Sequence, residues 1–248
     1  MSSMPIRVAE NGGEKYDMIP QPDSRYHKLI LTRFIGGSLG VLVGAEKKLF
    51  SVHEKLIRAS SQFFDRAMSG AWLESAQRTI QLPEDEAEIF GIYVHWLYYG
   101  TLPVCSNDSG LPENHEYLKL VKAYTLGNKL MDMGFQNAAI DAIVEKSISE
   151  EDGTRWYPVT EVVEFAYNNT RNSDPIRQLL VDLHVSFGHG DWLDYGNFDP
   201  ESVPRAFLFG LSSKLLDLRA ATRSEIKASN YHVHDSSDVK VESEKEAS

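Results

Sequence analysis

The sequence predicts an α+β protein, in which a unit of short strands and helices precedes a region that is almost wholly helical. Three observations carry this reading. Two β-rich runs, Val41–Val43 and Lys48–His53, are joined by a few residues that include Gly44. Apolar residues from Leu56 onward then recur mostly at three- and four-residue steps, with one short strand-like interruption at Thr79–Leu82. Beyond Asp152-Gly153 further helical patterns follow without any strand-like alternation.

The elements can be justified in order. Residues 1–25 hold Gly12-Gly13, Pro5, Pro20 and Pro22 among mixed charges without apolar periodicity, so a disordered leader is expected. Two β-rich runs around a glycine-containing turn read as a hairpin. Leu56, Ile57, Phe63, Phe64, Ala67 and Met68 form one face of a helix pair, with Ser60 or Ser61 as the N-cap dividing it. Gly70 ends the pair, and Ala71–Ser75 is an irregular connection leading to the strand Thr79–Leu82, closed by Pro83.

Asp85 followed by Glu88 has the spacing of a capping box, and the acidic first turn suits the positive end of a helix dipole. Ile89, Phe90, Tyr93, Trp96 and Leu97 form that helix's buried stripe. Gly100 stands at its C′ position, and Pro103 prevents continuation. After a polar loop from Val104 to Glu113, Tyr117, Leu120, Val121, Tyr124 and Leu130 mark a helix. Phe135, Ala139 and Ile143 mark the next.

In the C-terminal region, Val159, Val162, Val163, Ala166 and Tyr167 define a first helix. Asp174-Pro175 reads as an N-cap with proline at N1, and Ile176, Leu179, Leu180, Leu183 and Phe187 continue with helical period until Gly188. A last helix beginning near Asp199-Pro200 carries Val203, Phe207, Leu211, Leu215 and Leu218, with Pro204 confined to its first turn. Residues 221–248 are Ser-rich and acidic and are expected to be a disordered tail.

Composition bounds the function. The 248-residue chain is 42% hydrophobic, ample for a buried core. A net charge of −11 and no basic run longer than Lys47-Lys48 argue against a nucleic-acid partner. No secretory h-region precedes Arg7 and no apolar run approaches a membrane span, so a cytoplasmic or nuclear setting is expected. The acceptor patterns at Asn107 and Asn168 are then chance matches to a glycosylation site.

The candidates for chemistry are weak. Cys105, the single cysteine, can form no intramolecular disulfide and lies in a polar loop without an activating neighbour in sequence. His53, between a strand and a helix, reads as a structural hydrogen-bonding histidine. His189, Asp191, His232 and His234 lack convergent partners for a metal. Gly36–Gly40 fails the dinucleotide fingerprint. No catalytic residue, metal or cofactor is expected.

The stretch from Val41 to Leu102 resembles a BTB/POZ domain. The resemblance rests on Val41–Gly44, Phe50–Ile57, Ala59–Phe64, Trp72–Ser75, Ile80–Leu82 and Phe90–Leu102, in that order and spacing. With the two closing helices that follow, it covers about 110 of the 248 residues, and with its helical C-terminal region the chain is similar to short BTB proteins of filamentous fungi. The resemblance implies a small mixed sheet flanked by a helical bundle over residues 37–148, with a helical region at 155–220. It implies a protein-interaction adaptor or scaffold, which in many members is the substrate adaptor of a cullin-type ubiquitin ligase. Such members carry a hydrophobic-x-Glu motif after the second helix, where this sequence has Trp72, Leu73 and Glu74. These residues are the candidate cullin contact; the alternative is that Trp72 packs inward and Glu74 is merely solvated. Self-association through the domain is also implied, although Gly36–Val41 departs from the helix and Asp-Val pair found ahead of the first strand in many dimeric members.

Two other readings fit the broad pattern. A glutathione-transferase-like enzyme also has an α/β start and a helical C-terminal region, but would need a thioredoxin-like βαβ opening. A BTB-type transcriptional regulator would have to act through partners.

Overall fold

The hairpin forms with strands β1 (Ser38–Val43) and β2 (Lys48–His53), paired antiparallel with Val41 opposite Phe50. Leu39, Val41 and Val43 are fully buried, so one face of β1 lies on the core. The computed structural model describes residues 32–69, 77–105, 112–150, 153, 155–188 and 202–218. β1 starts three residues ahead of the expected Val41. The spelling Ser38-Leu39-Gly40 has low strand propensity, yet Leu39 pairs with Val52 and the Gly40 N–H donates to the Arg78 carbonyl at 3.0 Å.

Strand β3 (Thr79–Leu82) lies parallel to β1 on its other edge, giving a mixed sheet of order β2-β1-β3. The crossover required between parallel neighbours contains α1 (Glu54–Ser60) and α2 (Gln62–Ser69). Ser61 separates them as expected. Its Oγ accepts the Phe64 N–H at 3.2 Å and donates to the Leu130 carbonyl at 2.6 Å. The opening hairpin is not the βαβ start that a glutathione-transferase fold would need.

Helix α3 (Ala87–Tyr99) begins later than the proposed capping box would place it. Glu86 is its N-cap and makes no side-chain cap bond. The carboxylates turn instead to lysines of α4 (Pro112–Lys129): Asp85 to Lys129 at 2.6 Å, Glu86 to Lys122 at 2.7 Å, and Glu88 to Lys119 at 2.7 Å. A charged partner outcompetes a local backbone amide here. Ile89, Phe90 and Tyr93 are buried as expected, while Trp96 and Leu97 are half-buried against the core. Gly100 ends the helix at φ +71°, a left-handed conformation natural to glycine, with its N–H on the Trp96 carbonyl.

Helix α5 (Met133–Ile148) packs along α4, and Gly127 permits the close approach. A Cβ added there would sit 2.8 Å from Gln136 Cγ and 3.2 Å from Phe135 Cδ1. Helix α4 is buried on more than its expected face: Ala123 and Leu126 join Tyr117, Leu120, Val121 and Tyr124 in the interior. Two-sided burial means that something must cover the second side.

That cover is the C-terminal helical region. Helix α6 (Thr160–Asn169) lies against α4, α7 (Pro175–Phe187) against α6, and α8 (Arg205–Leu218) against α7. One hydrophobic core runs from Leu39 to Phe207. The Tyr117 hydroxyl donates to the Trp156 carbonyl at 2.7 Å, and Asn128 Nδ2 donates to the Asp174 carboxylate at 3.3 Å. Asp174 holds the N-cap position of α7 with Pro175 at N1, as expected, but its side chain makes no cap bond and instead also accepts the Arg171 N–H at 2.7 Å. Arg177 ties α7 to the end of α6 by donating to the Tyr167 and Thr170 carbonyls, with its guanidinium 4.5 Å from the Tyr167 ring centroid.

Two expectations about the last helix need correction. It starts at Arg205 rather than near Pro200, because Pro204 supplies no N–H and its carbonyl instead accepts the first helical bonds from Phe207 and Leu208. Leu215 and Leu218 are exposed rather than buried, since only the side of α8 bearing Phe207 and Leu211 meets the core. Among the described residues no helix is long and apolar enough to cross a membrane. The expected leader and acidic tail lie outside the described residues.

Candidate protein-interaction surface

The sequence directs attention to the connection between α2 and β3. Trp72, Leu73 and Glu74 lie outside the described residues, but both flanks of the connection are described. On the departing side, Arg58 Nη2 donates to Ser69 Oγ at 3.0 Å and Arg58 Nε to Asp65 Oδ1 at 3.0 Å. On the returning side, Arg78 pairs with Glu54. Glu54 and Arg58, one turn apart on α1, are themselves bonded at 3.0 Å. The polar face of α1 therefore holds both ends of the connection. Sequence reasoning missed Glu54, Arg58 and Arg78: the Arg78–Glu54 pair forms only once β3 returns beside β1, and the Arg58 contacts need the turn between α1 and α2.

Arg78 also occupies the left-handed region at φ +50°, uncommon for a side chain of its size. Its carbonyl accepts the Gly40 N–H and its guanidinium reaches Glu54, so contacts at both ends of the residue hold this conformation. These ion pairs are partly solvent-exposed and fix geometry more than they add stability.

His53 is the hydrogen-bonding residue the sequence indicated. The Tyr98 hydroxyl accepts the His53 backbone N–H at 3.1 Å and lies 2.7 Å from His53 Nδ1. Phe34, in a single turn ahead of β1, stacks on Tyr98 with ring centroids 6.0 Å apart and meets His53 edge-on at 5.8 Å. The segment preceding the sheet is thus pinned by an aromatic contact. Ahead of β1, residues 32–34 form one short 3₁₀ turn, and residues 29–31 lie outside the described residues.

A groove of about 340 Å³ lies where the start of α3, helix α4 and helix α6 meet. Ile89, Leu126 and Phe165 give it apolar lining, and the Asp85–Lys129 and Glu86–Lys122 pairs border it. Lys122 Nζ also lies 5.7 Å from the Phe165 ring centroid.

The other titratable groups serve the fold. The Asp132 carboxylate accepts from Ser60 Oγ at 2.5 Å, from the Tyr93 hydroxyl at 2.9 Å and from the Phe135 N–H at 3.1 Å, capping α5. Burial, then the Asp132 charge, pushes the Tyr93 phenol well above its ordinary value, so it stays a donor. Lys146 and Glu116 pair at 2.5 Å, largely out of solvent, with the ammonium 5.5 Å from the Tyr117 ring centroid. Cys105 is exposed, with its Sγ 3.8 Å from a Glu116 carboxylate oxygen. No group of three or more His, Cys, Asp or Glu suited to a metal occurs among the described residues. His189, Asp191, His232 and His234 fall outside them.

The described residues build a mixed sheet of order β2-β1-β3, crossed over by a helix pair and followed by packed helices. Residues 40–131 match the family model of the BTB/POZ domain. The chain is therefore a BTB/POZ domain-containing protein of α+β class with a helical C-terminal region. BTB/POZ domains are protein-interaction modules. No curated protein matches the chain.

Proposed function

We propose that this protein is a non-enzymatic adaptor, in which the BTB/POZ domain engages one partner and the C-terminal helices engage another. The continuous core carries the reading. Helix α4 packs against both α5 and α6, so the two regions share one core; two proteins bound on either side of it would be held in a fixed relation. An adaptor benefits from such fixed geometry, since ordering on binding then costs little. Residues 37–148 would be the interaction domain and 155–220 the client-facing helices, in a cytoplasmic or nuclear setting. Nucleic acid is not among the proposed partners.

The finer proposal is a cullin scaffold as one partner, contacted by Trp72, Leu73 and Glu74. Its support is positional: the motif stands in a connection whose two ends are both held by α1. An aromatic anchor with an adjacent carboxylate provides a buried contact and a charge-assisted hydrogen bond. The test is capture of the full chain on immobilised cullin N-terminal domain. Trp72→Ala with Glu74→Ala should reduce capture at least tenfold while the thermal midpoint stays unchanged. Failure of the wild-type chain to bind any cullin removes the cullin proposal and leaves the adaptor reading to partner identification by affinity purification.

A further inference from the structure

We infer that the outer face of α8 is a self-association surface on which a second copy of this chain packs antiparallel. The inference goes beyond the adaptor reading and does not involve the BTB/POZ domain. Helix α8 is apolar on two sides. Its inner side carries Phe207, which meets His184 edge-on at 4.9 Å and Tyr167 at 5.8 Å, together with Leu211 and the Lys214–Asp182 pair. Its outer side carries Phe209, Ser212 and Leu216 at helical spacing, flanked by Leu208 and Leu215. Phe209 is 78% exposed and Leu216 62% exposed. Isolated exposed apolar residues need no explanation, but a contiguous stripe along a helix marks a contact surface.

The charges at the helix ends identify the occupant. Arg205 opens α8, where the helix dipole favours an acid; Asp217 stands in its last turn, where the dipole favours a base. Both are exposed and both have the wrong sign for their own helix. An antiparallel second copy corrects both at once. Each Arg205 then lies beside the C-terminal end of the other helix, and each Asp217 beside the other N-terminal end. Centring the pair on Ser212, the middle of the stripe, sets Leu208 of one copy against Leu216 of the other and Phe209 against Leu215. With a rise of about 1.5 Å per residue, Arg205 then falls about 3 Å along the axis from Asp217 of the other copy, within reach of an arginine side chain. A surface that satisfies its own apolar stripe and its own end charges under a two-fold is self-complementary, as an isologous dimer requires. A contact of one helix face falls below the roughly 1,200 Å² of standard stable interfaces, so the dimer is expected in the micromolar range.

The test uses the full chain carrying Cys105→Ser and Ser212→Cys, which reports this face whether or not the BTB/POZ domain also associates. Mild oxidation should give a covalent dimer across the axis, and adding Leu216→Glu should suppress it at least tenfold. In sedimentation, Arg205→Asp should weaken association about tenfold, and adding Asp217→Arg should restore it, a rescue that a purely structural role would not produce. Absence of the covalent dimer overturns the proposal in two distinguishable ways. Free reaction of the introduced thiol with a thiol reagent would mean that the face is open. Protection of that thiol in the monomer would mean that residues 189–201 or 219–248 of the same chain cover it.

Discussion

Tyr93 on α3 donates its hydroxyl hydrogen to Asp132 at the cap of α5, at 2.9 Å and 39 residues away in sequence. Ser60 reaches the same Oδ2 from α1. One buried carboxylate thus receives donors from two helices while its other oxygen caps a third. Asp132→Ala would leave three donors without their acceptor, and at about 1–3 kcal/mol for each buried orphan the expected loss is at least roughly 3 kcal/mol. Tyr93→Phe leaves the remaining bonds in place and should cost only about 1 kcal/mol. Urea unfolding monitored by circular dichroism measures both. Equal losses for the two variants would contradict the shared-acceptor account.

The Lys146–Glu116 pair should behave as a buried pair. Removing one partner by Lys146→Met leaves a carboxylate largely out of water and should cost about 3 kcal/mol. Adding Glu116→Gln removes the orphaned charge, so the double variant should be more stable than Lys146→Met alone. A double-mutant cycle in denaturant reads the coupling directly, and strictly additive losses would show that the pair is solvated.

His184 makes the contact between α7 and α8 sensitive to acid. Its Nδ1 lies 2.8 Å from the Leu180 carbonyl and its ring lies against Phe207. Burial lowers its pKa from the ordinary 6.5, only partly offset by the Leu180 bond. The unfolded chain therefore binds the proton more readily than the folded one. Stability is unaffected well above pH 6.5 and falls as pH drops through that value towards the lower folded one. Urea midpoints at pH 7.5 and pH 5.5 should differ more for the wild type than for His184→Gln, about 1 kcal/mol per unit of pH at most from this one site.

The elements were largely legible because periodicity and turn chemistry act locally. The hairpin, the Ser61 cap, the strand at Thr79–Leu82 and the stripe of Phe135, Ala139 and Ile143 all follow from spacing within a short window. The readings that failed involve competition at long range. Asp85 and Glu88 have capping-box spacing, but the lysines that draw Asp85 and the neighbouring carboxylates away lie on α4. Leu215 and Leu218 continue the apolar pattern of Phe207 and Leu211, and a single sequence does not distinguish a side facing the core from one facing outward. Around the α2–β3 connection the motif was legible as a family pattern. Its anchoring was not, because the Arg78–Glu54 pair depends on the parallel return of β3 and the Arg58 contacts on how α2 folds back on α1.

Helix α4, buried on two sides, has a consequence for protein engineering. Many multi-part proteins are assembled from units that recombine freely, since each closes its own surface. Here α4 belongs to both regions, with Tyr117 bonded to Trp156 and Asn128 to Asp174 across the join. A chimera that grafts a foreign C-terminal region after Ile148 would leave Ala123, Leu126 and their neighbours against an unfitted surface. The helices after Ile148 are therefore fitted to α4, and replacing them without also refitting α4 should destabilise both regions together.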